Sequence, residues 1–131
     1  MIYIWLNVLA IVGATGSGLA AGALYHRLFG KRSGGRITPG FLLVAIVAQA
    51  WFAAILAGAL ILAPKQAGIW QMTIGSAVVI WIGFVVPVLA VTHGYRGMKI
   101  ATIAKDCGYW LSAMLVQVLV LQTIGLVPPP A

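Results

Sequence analysis

The sequence predicts an all-α fold, an integral membrane bundle of four transmembrane helices forming one domain over residues 1–131. Three observations predict it. Apolar residues make up 63% of the chain and charged residues only 7%, where a soluble domain carries about 25% charged residues. Mean hydropathy is +1.09, and a chain this apolar could not clothe a water-facing surface with polar groups. Four continuous apolar runs, 2–24, 41–63, 72–91 and 107–127, each reach the roughly 20 residues that a helix needs to cross a bilayer. All eight basic residues and the single acid lie outside those runs. A β-barrel is excluded because the runs are continuously apolar rather than alternating. One cysteine and no Gly-X-Y period exclude a disulfide scaffold and collagen.

The first helix is expected over residues 2–24 and is read as retained, because Met1 to Trp5 lacks the positive charge that opens a cleaved signal. Ala10, Ala14, Gly18 and Gly22 recur every four residues on it, and Ala50, Ala54 and Gly58 repeat the spacing on the second helix. Such faces let helix backbones approach where lipid removes the hydrophobic drive. The second helix is expected over 41–63, with Thr38 as its cap, Pro39 at its first position and Pro64 as its stop. The third, over 72–91, contains Pro87, whose ring clashes with the carbonyl of Gly83 and predicts a kink there. The fourth is expected over 98–127, with an interfacial turn near Met98, and it ends at Gly125 before Pro128, Pro129 and Pro130.

Counting from the ends of each run places Gln49, Trp51, Trp81 and Gln117 near one midplane. Amides and indoles at that depth need partners, so Gln117 is expected to bond across helices, to Trp51 or Trp81. The loop after helix one carries Arg27, Lys31, Arg32 and Arg36, the loop before helix four carries Arg96, Lys99 and Lys105, and the remaining loop carries Lys65 alone. The positive-inside rule then puts both termini outside and both basic loops in the cytoplasm, in a cell (inner) membrane, against anionic lipid headgroups. The basic residues follow this topology and form no nucleic-acid motif. Tyr3, Trp5 and Trp70 fall near the outer surface, and Tyr25, Phe29, Phe41, Tyr95, Tyr109 and Trp110 near the inner one. A two-hairpin repeat offset by 67 residues would pair Ala23-Leu24-Tyr25-His26 and Gly30 with Ala90-Val91-Thr92-His93 and Gly97.

The groups able to do chemistry gather at the cytoplasmic interface: His26, His93, Lys105 and Asp106. Asp106, the only acid, is expected to pair with a basic neighbour or to favour a helix N-terminus. His26, His93 and Asp106 lack the tight spacing of metal ligands, and Cys107 has no adjacent base, so neither a metal centre nor a catalytic group is assigned. No phosphate loop, serine elbow or dinucleotide fingerprint occurs.

Gly22-Ala23-Leu24-Tyr25 with Leu28-Phe29-Gly30-Lys31, then Trp81-Ile82-Gly83-Phe84-Val85-Val86-Pro87, then Gly108-Tyr109-Trp110-Leu111 resemble the family called domain of unknown function 1761. The resemblance extends over almost the whole chain. It implies a bacterial four-helix membrane protein and carries no functional residue across; Asp106 stands where that family commonly has asparagine. Two function classes remain: an accessory or structural subunit of a larger membrane assembly, such as a respiratory or photosynthetic one, and a small transporter or channel working as an oligomer. Other membrane subunits are the expected partners, with homo-oligomerisation as a second outcome; the sequence assigns no cofactor, whether pigment, quinone or lipid.

Overall fold

The computed structural model describes residues 2–29 and 37–130. The helices are α1 (Ile2–Leu6), α2 (Val8–Phe29), α3 (Pro39–Leu62), α4 (Ile69–Ile80), α5 (Val86–Tyr95) and α6 (Ile100–Ile124), with a π-helical turn, Trp81–Val85, joining α4 to α5. Among the described residues there is no strand, and four helical spans are long and apolar enough to cross a membrane: α2, α3, the continuous stretch Ile69–Tyr95, and α6. The protein is a multi-pass membrane protein.

The helix ends follow from local chemistry. Thr38 accepts a hydrogen bond from the Phe41 amide at 3.1 Å, and Pro39 opens α3 as expected. Ala63, extended at φ −62° and ψ 138°, closes that helix ahead of Pro64. After α5 the His93 carbonyl accepts from Met98 N–H at 3.1 Å while Gly94 accepts from Gly97 at 3.0 Å. That paired closure needs a left-handed residue, and Gly97 supplies it at φ +67°. Gly125, at φ +93°, ends α6.

Several boundaries differ from expectation. The first helix runs on to Phe29 and is interrupted at Asn7; the third spans Ile69–Tyr95 rather than 72–91. The absence of charge marks the lipid-embedded part of a helix, whereas the backbone hydrogen-bond ladder continues through His26 and Arg27, whose polar ends can reach the interface. The fourth helix begins at Ile100, two residues after the expected start at Met98.

At Asn7 the backbone bonds to Tyr3 and from Ile11 persist, and the side chain adds others. Its side-chain amide donates to the Val127 carbonyl at 2.8 Å and accepts from the Val127 N–H at 2.6 Å, while also donating to the Tyr3 carbonyl at 2.8 Å. The amide thus acts as a short strand edge that holds the tail beyond α6 against the start of α2. At the other end of the same pair, Tyr25 Oη donates to the Lys105 carbonyl at 2.9 Å. These two links make α2 and α6 antiparallel, and this pair packs more extensively than any other.

The core is built from small residues. Ala10, Ala14, Gly18 and Gly22 are all buried, as the spacing predicted, and they meet a core that includes Ala53, Leu56, Ala57, Ala113, Met114 and Val118. Ala54 is buried, but Ala50 and Gly58 are only half-buried. Several glycines differ in what they admit. A Cβ at Gly22 would lie 2.5 Å from Tyr109 Oη, one at Gly58 3.2 Å from Tyr3 Oη and one at Gly108 2.6 Å from Tyr25 Oη. These positions therefore receive tyrosine rings rather than a neighbouring backbone, and Tyr3 then donates to the Ala54 carbonyl at 3.1 Å.

Near Pro87, where a kink was expected, the helix carries a π turn. The N–H of Val86 bonds the Trp81 carbonyl five residues back, which widens the ladder one residue before the proline that lacks a donor. Gly83 is exposed, and a Cβ added there would meet nothing within 4 Å, so its role is confined to its own helix.

Asn7→Leu would leave the Val127 N–H and carbonyl without their partners. The expected result is exchange of the Val127 amide faster by about fivefold, the equivalent of a typical lost hydrogen bond of about 1 kcal/mol, read by hydrogen exchange in detergent.

Candidate functional site

Two polar clusters lie within the bundle. The first centres on Gln117, which is fully enclosed (0% exposed), and Gln49, which is 2% exposed. Gln117 Nε2 donates both its protons to Gln49, one to the side-chain Oε1 at 2.7 Å and one to the backbone carbonyl at 3.0 Å. Gly18 of α2 makes the room: a Cβ there would fall 2.7 Å from both Gln117 Nε2 and Gln49 Oε1. Three helices thus converge on one pair of amides, and Gln117 Oε1 is left enclosed without a partner.

Gln117 bonds across helices as expected, but to Gln49 and not to Trp51 or Trp81. Trp51 is 58% exposed and faces away from the bundle, because two residues along a helix turn the side chain by about 200° from Gln49. Trp81 donates its indole N–H to the Cys107 carbonyl at 2.8 Å instead. The shared level of Gln49 and Gln117 was legible, whereas the direction of each side chain around its helix was not.

The second cluster lies where α5 meets the start of α6. His93 Nε2 is 2.7 Å from Asp106 Oδ2, with the histidine side chain 14% exposed and the aspartate side chain 45% exposed. Asp106 therefore pairs with His93 from another helix, not with a neighbouring lysine or with a helix N-terminus. A carboxylate can only accept, so the shared proton belongs to His93 Nε2, and Nδ1 of the neutral ring presents a lone pair. That Nδ1 is buried with no partner.

His26 is exposed and does not join His93 and Asp106. Among the described residues no group of three or more His, Cys, Asp or Glu converges as a metal centre would require. Cys107 is a free thiol and buried. Lys105 is exposed beside Asp106, with its backbone carbonyl held by Tyr25. Lys31, Arg32, Arg36 and Gly30, the repeat partner of Gly97, lie outside the described residues. The aligned histidines occupy different surroundings, and only the third span carries a π turn.

Sequence reasoning missed several contributors. Tyr25 and Tyr109 were assigned to a headgroup belt, yet both are half-buried and belong to a run of ring contacts. Tyr25 packs on Phe29 at 4.9 Å and on Tyr109 at 6.0 Å, Tyr109 on Trp110 at 5.3 Å, and Trp110 on Phe52 at 5.0 Å between centroids. Thr73 and Gln122 meet at 3.1 Å between α4 and α6. The available signal was each tyrosine facing a glycine of another helix, but the pairing is long-range. Elsewhere, Val116, Leu119, Val120, Thr123 and Ile124 line a shallow apolar depression of about 230 Å³ on the face of α6.

Gln117→Leu and Gln49→Leu should each lower the denaturation midpoint in detergent. The double variant should lose less than the sum, with a coupling of about 0.6–2 kcal/mol. Gly18→Leu should destabilise by about 1–3 kcal/mol through overpacking, while Gly16→Leu, where a Cβ would meet nothing within 4 Å, should leave the midpoint nearly unchanged. Comparison with protein-family models, with curated proteins and with solved structures finds no match for this chain.

Proposed function

We propose that the protein is an accessory, structural subunit of a larger membrane assembly and performs no reaction of its own. The observation that carries this reading is the third span. Its apolar window is only 11% buried, against 28–33% for the other three spans. Val79, Ile82, Phe84, Val88 and Val91 on it are all more than half exposed. The interior polar groups meanwhile fasten helix to helix. A span so little covered by its own chain suits a seat against the apolar helices of another subunit.

In this reading the chain lies in the cell (inner) membrane with both termini outside. The end carrying Arg27, Arg96, Lys99 and Lys105 faces the cytoplasm and its anionic headgroups. Membership of the domain of unknown function 1761 family is part of the same proposal and rests on the motifs around Gly22, Trp81 and Gly108.

Native mass spectrometry of mildly solubilised source membranes tests the proposal. The expected result is co-release of this chain with a different membrane subunit at fixed stoichiometry. A particle containing this chain alone, with substrate flux in reconstituted liposomes, contradicts it in favour of an oligomeric transporter. For sidedness, Gln66→Cys and Lys99→Cys are compared in a Cys107→Ser background. An impermeant maleimide added to intact cells should label the first and spare the second.

A further inference from the structure

We propose that the middle of the third span is the seat of a transmembrane helix from another subunit, and that this helix brings a hydrogen-bond donor, a hydroxyl or an indole, to the backbone carbonyl of Ile82. This seat deepens, and rests on, the accessory-subunit reading. In a regular α-helix that carbonyl accepts from the N–H of Val86, four residues on. Here Val86 N–H bonds the Trp81 carbonyl instead. The next amide along, which a π-helical bond would use, belongs to Pro87 and has no hydrogen to give. Neither ladder therefore supplies a donor to Ile82. Trp81, its neighbour in sequence, donates its indole N–H to the Cys107 carbonyl at 2.8 Å. Among the described residues no side chain donates to the Ile82 carbonyl.

A bare carbonyl is tolerable at a helix end, where water reaches it. Ile82 lies halfway along the span Ile69–Tyr95, with about 20 Å of helix on either side of it. In hydrocarbon an unmet backbone group is costly, and where proline frees one in a membrane helix, a neighbouring helix or a hydroxyl satisfies it again. The rest of this chain does not cover the place. Ile82 is 56% exposed and Phe84 70% exposed, and Gly83 and Pro87 are exposed beside them. Gly83 has no side chain to shade the peptide group it shares with Ile82, and a Cβ there would meet nothing within 4 Å. A lipid tail covers Val79, Ile82, Phe84 and Val88 well but has no donor to offer. An apolar helix with one hydroxyl or indole at this level matches both the apolar surround and the single acceptor within it.

The test starts in source membranes, with a benzophenone analogue of phenylalanine in place of Phe84. The expected result is a cross-link to a membrane helix of a different subunit, with a Ser, Thr, Tyr or Trp side chain at the cross-linked level. Pro87→Ala then restores the missing N–H, and a second variant replaces the partner's donor with an apolar residue. Each should lower retention of the partner in detergent about threefold to tenfold, the worth of one interhelical hydrogen bond in a membrane. Combined, they should cost no more than either alone. Pro87→Ala should leave the denaturation midpoint of the isolated chain unchanged or higher, which separates loss of the bond from loss of the fold. A cross-link to a helix without a donor, to a second copy of this chain or to lipid alone overturns the seat. So does an additive effect of the two variants. In those cases co-release of a different subunit still supports the accessory reading, whereas its absence from wild-type particles contradicts both.

Discussion

A hydrocarbon interior offers no hydrogen bonds, so a polar side chain carried into it is stabilised by a partner within the chain. In this protein that constraint centres on the bond between Gln117 and Gln49. Two amides cannot share one level of a bundle unless a third helix withdraws its side chain to admit them, and Gly18 does so. The pair ties α6 to α3 and fixes how α2 lies over both. Because the alternative is an amide facing lipid, one depth and one rotation of each helix are selected, where packing of alanine and leucine alone would allow neighbouring registers.

The same logic governs the ends of the bundle. Tyr3, Tyr25 and Trp81 each cross to another helix and donate to a backbone carbonyl. Gly58 and Gly108 give two of the tyrosine rings space. Asn7 closes the far end by holding the tail after Gly125. Small residues here serve large ones: the missing side chain on one helix is the socket for an aromatic or amide on the next. The third span takes least part in this scheme, and it is also the span whose ladder carries a π turn and whose second half is attached to α6 by a histidine.

What was legible in the sequence had a local cause. Thr38 with Pro39, Pro64 and Gly125 act on their own backbone, and the structure has each doing so. The row from Ala10 to Gly22 is set by a helical period and is buried as the period requires. The need of Gln117 for an interhelical partner was legible too, because it depends on depth alone. The partner was not, since Gln49 and Trp51 lie at almost the same depth on opposite sides of one helix. Asn7 with Val127 and His93 with Asp106 bring together residues distant in sequence or separated by a turn, and no spacing rule reaches across that gap. The π turn also escaped: Pro87 led to the expectation of a kink, because a missing donor is legible in the sequence and the widening of the ladder beside it is not.

The account therefore rests on one buried amide pair that holds three helices in register. The most direct measurement is the exchange rate of the Gln117 side-chain amide protons in a bilayer, by nuclear magnetic resonance, with the exposed Gln66 amide as an internal reference. A Gln117 amide that remains unexchanged long after Gln66 has equilibrated is the predicted result. Exchange of both amides at the same rate would contradict the account, because it would place water or open space where Gly18 and Gln49 are described as closing on that side chain.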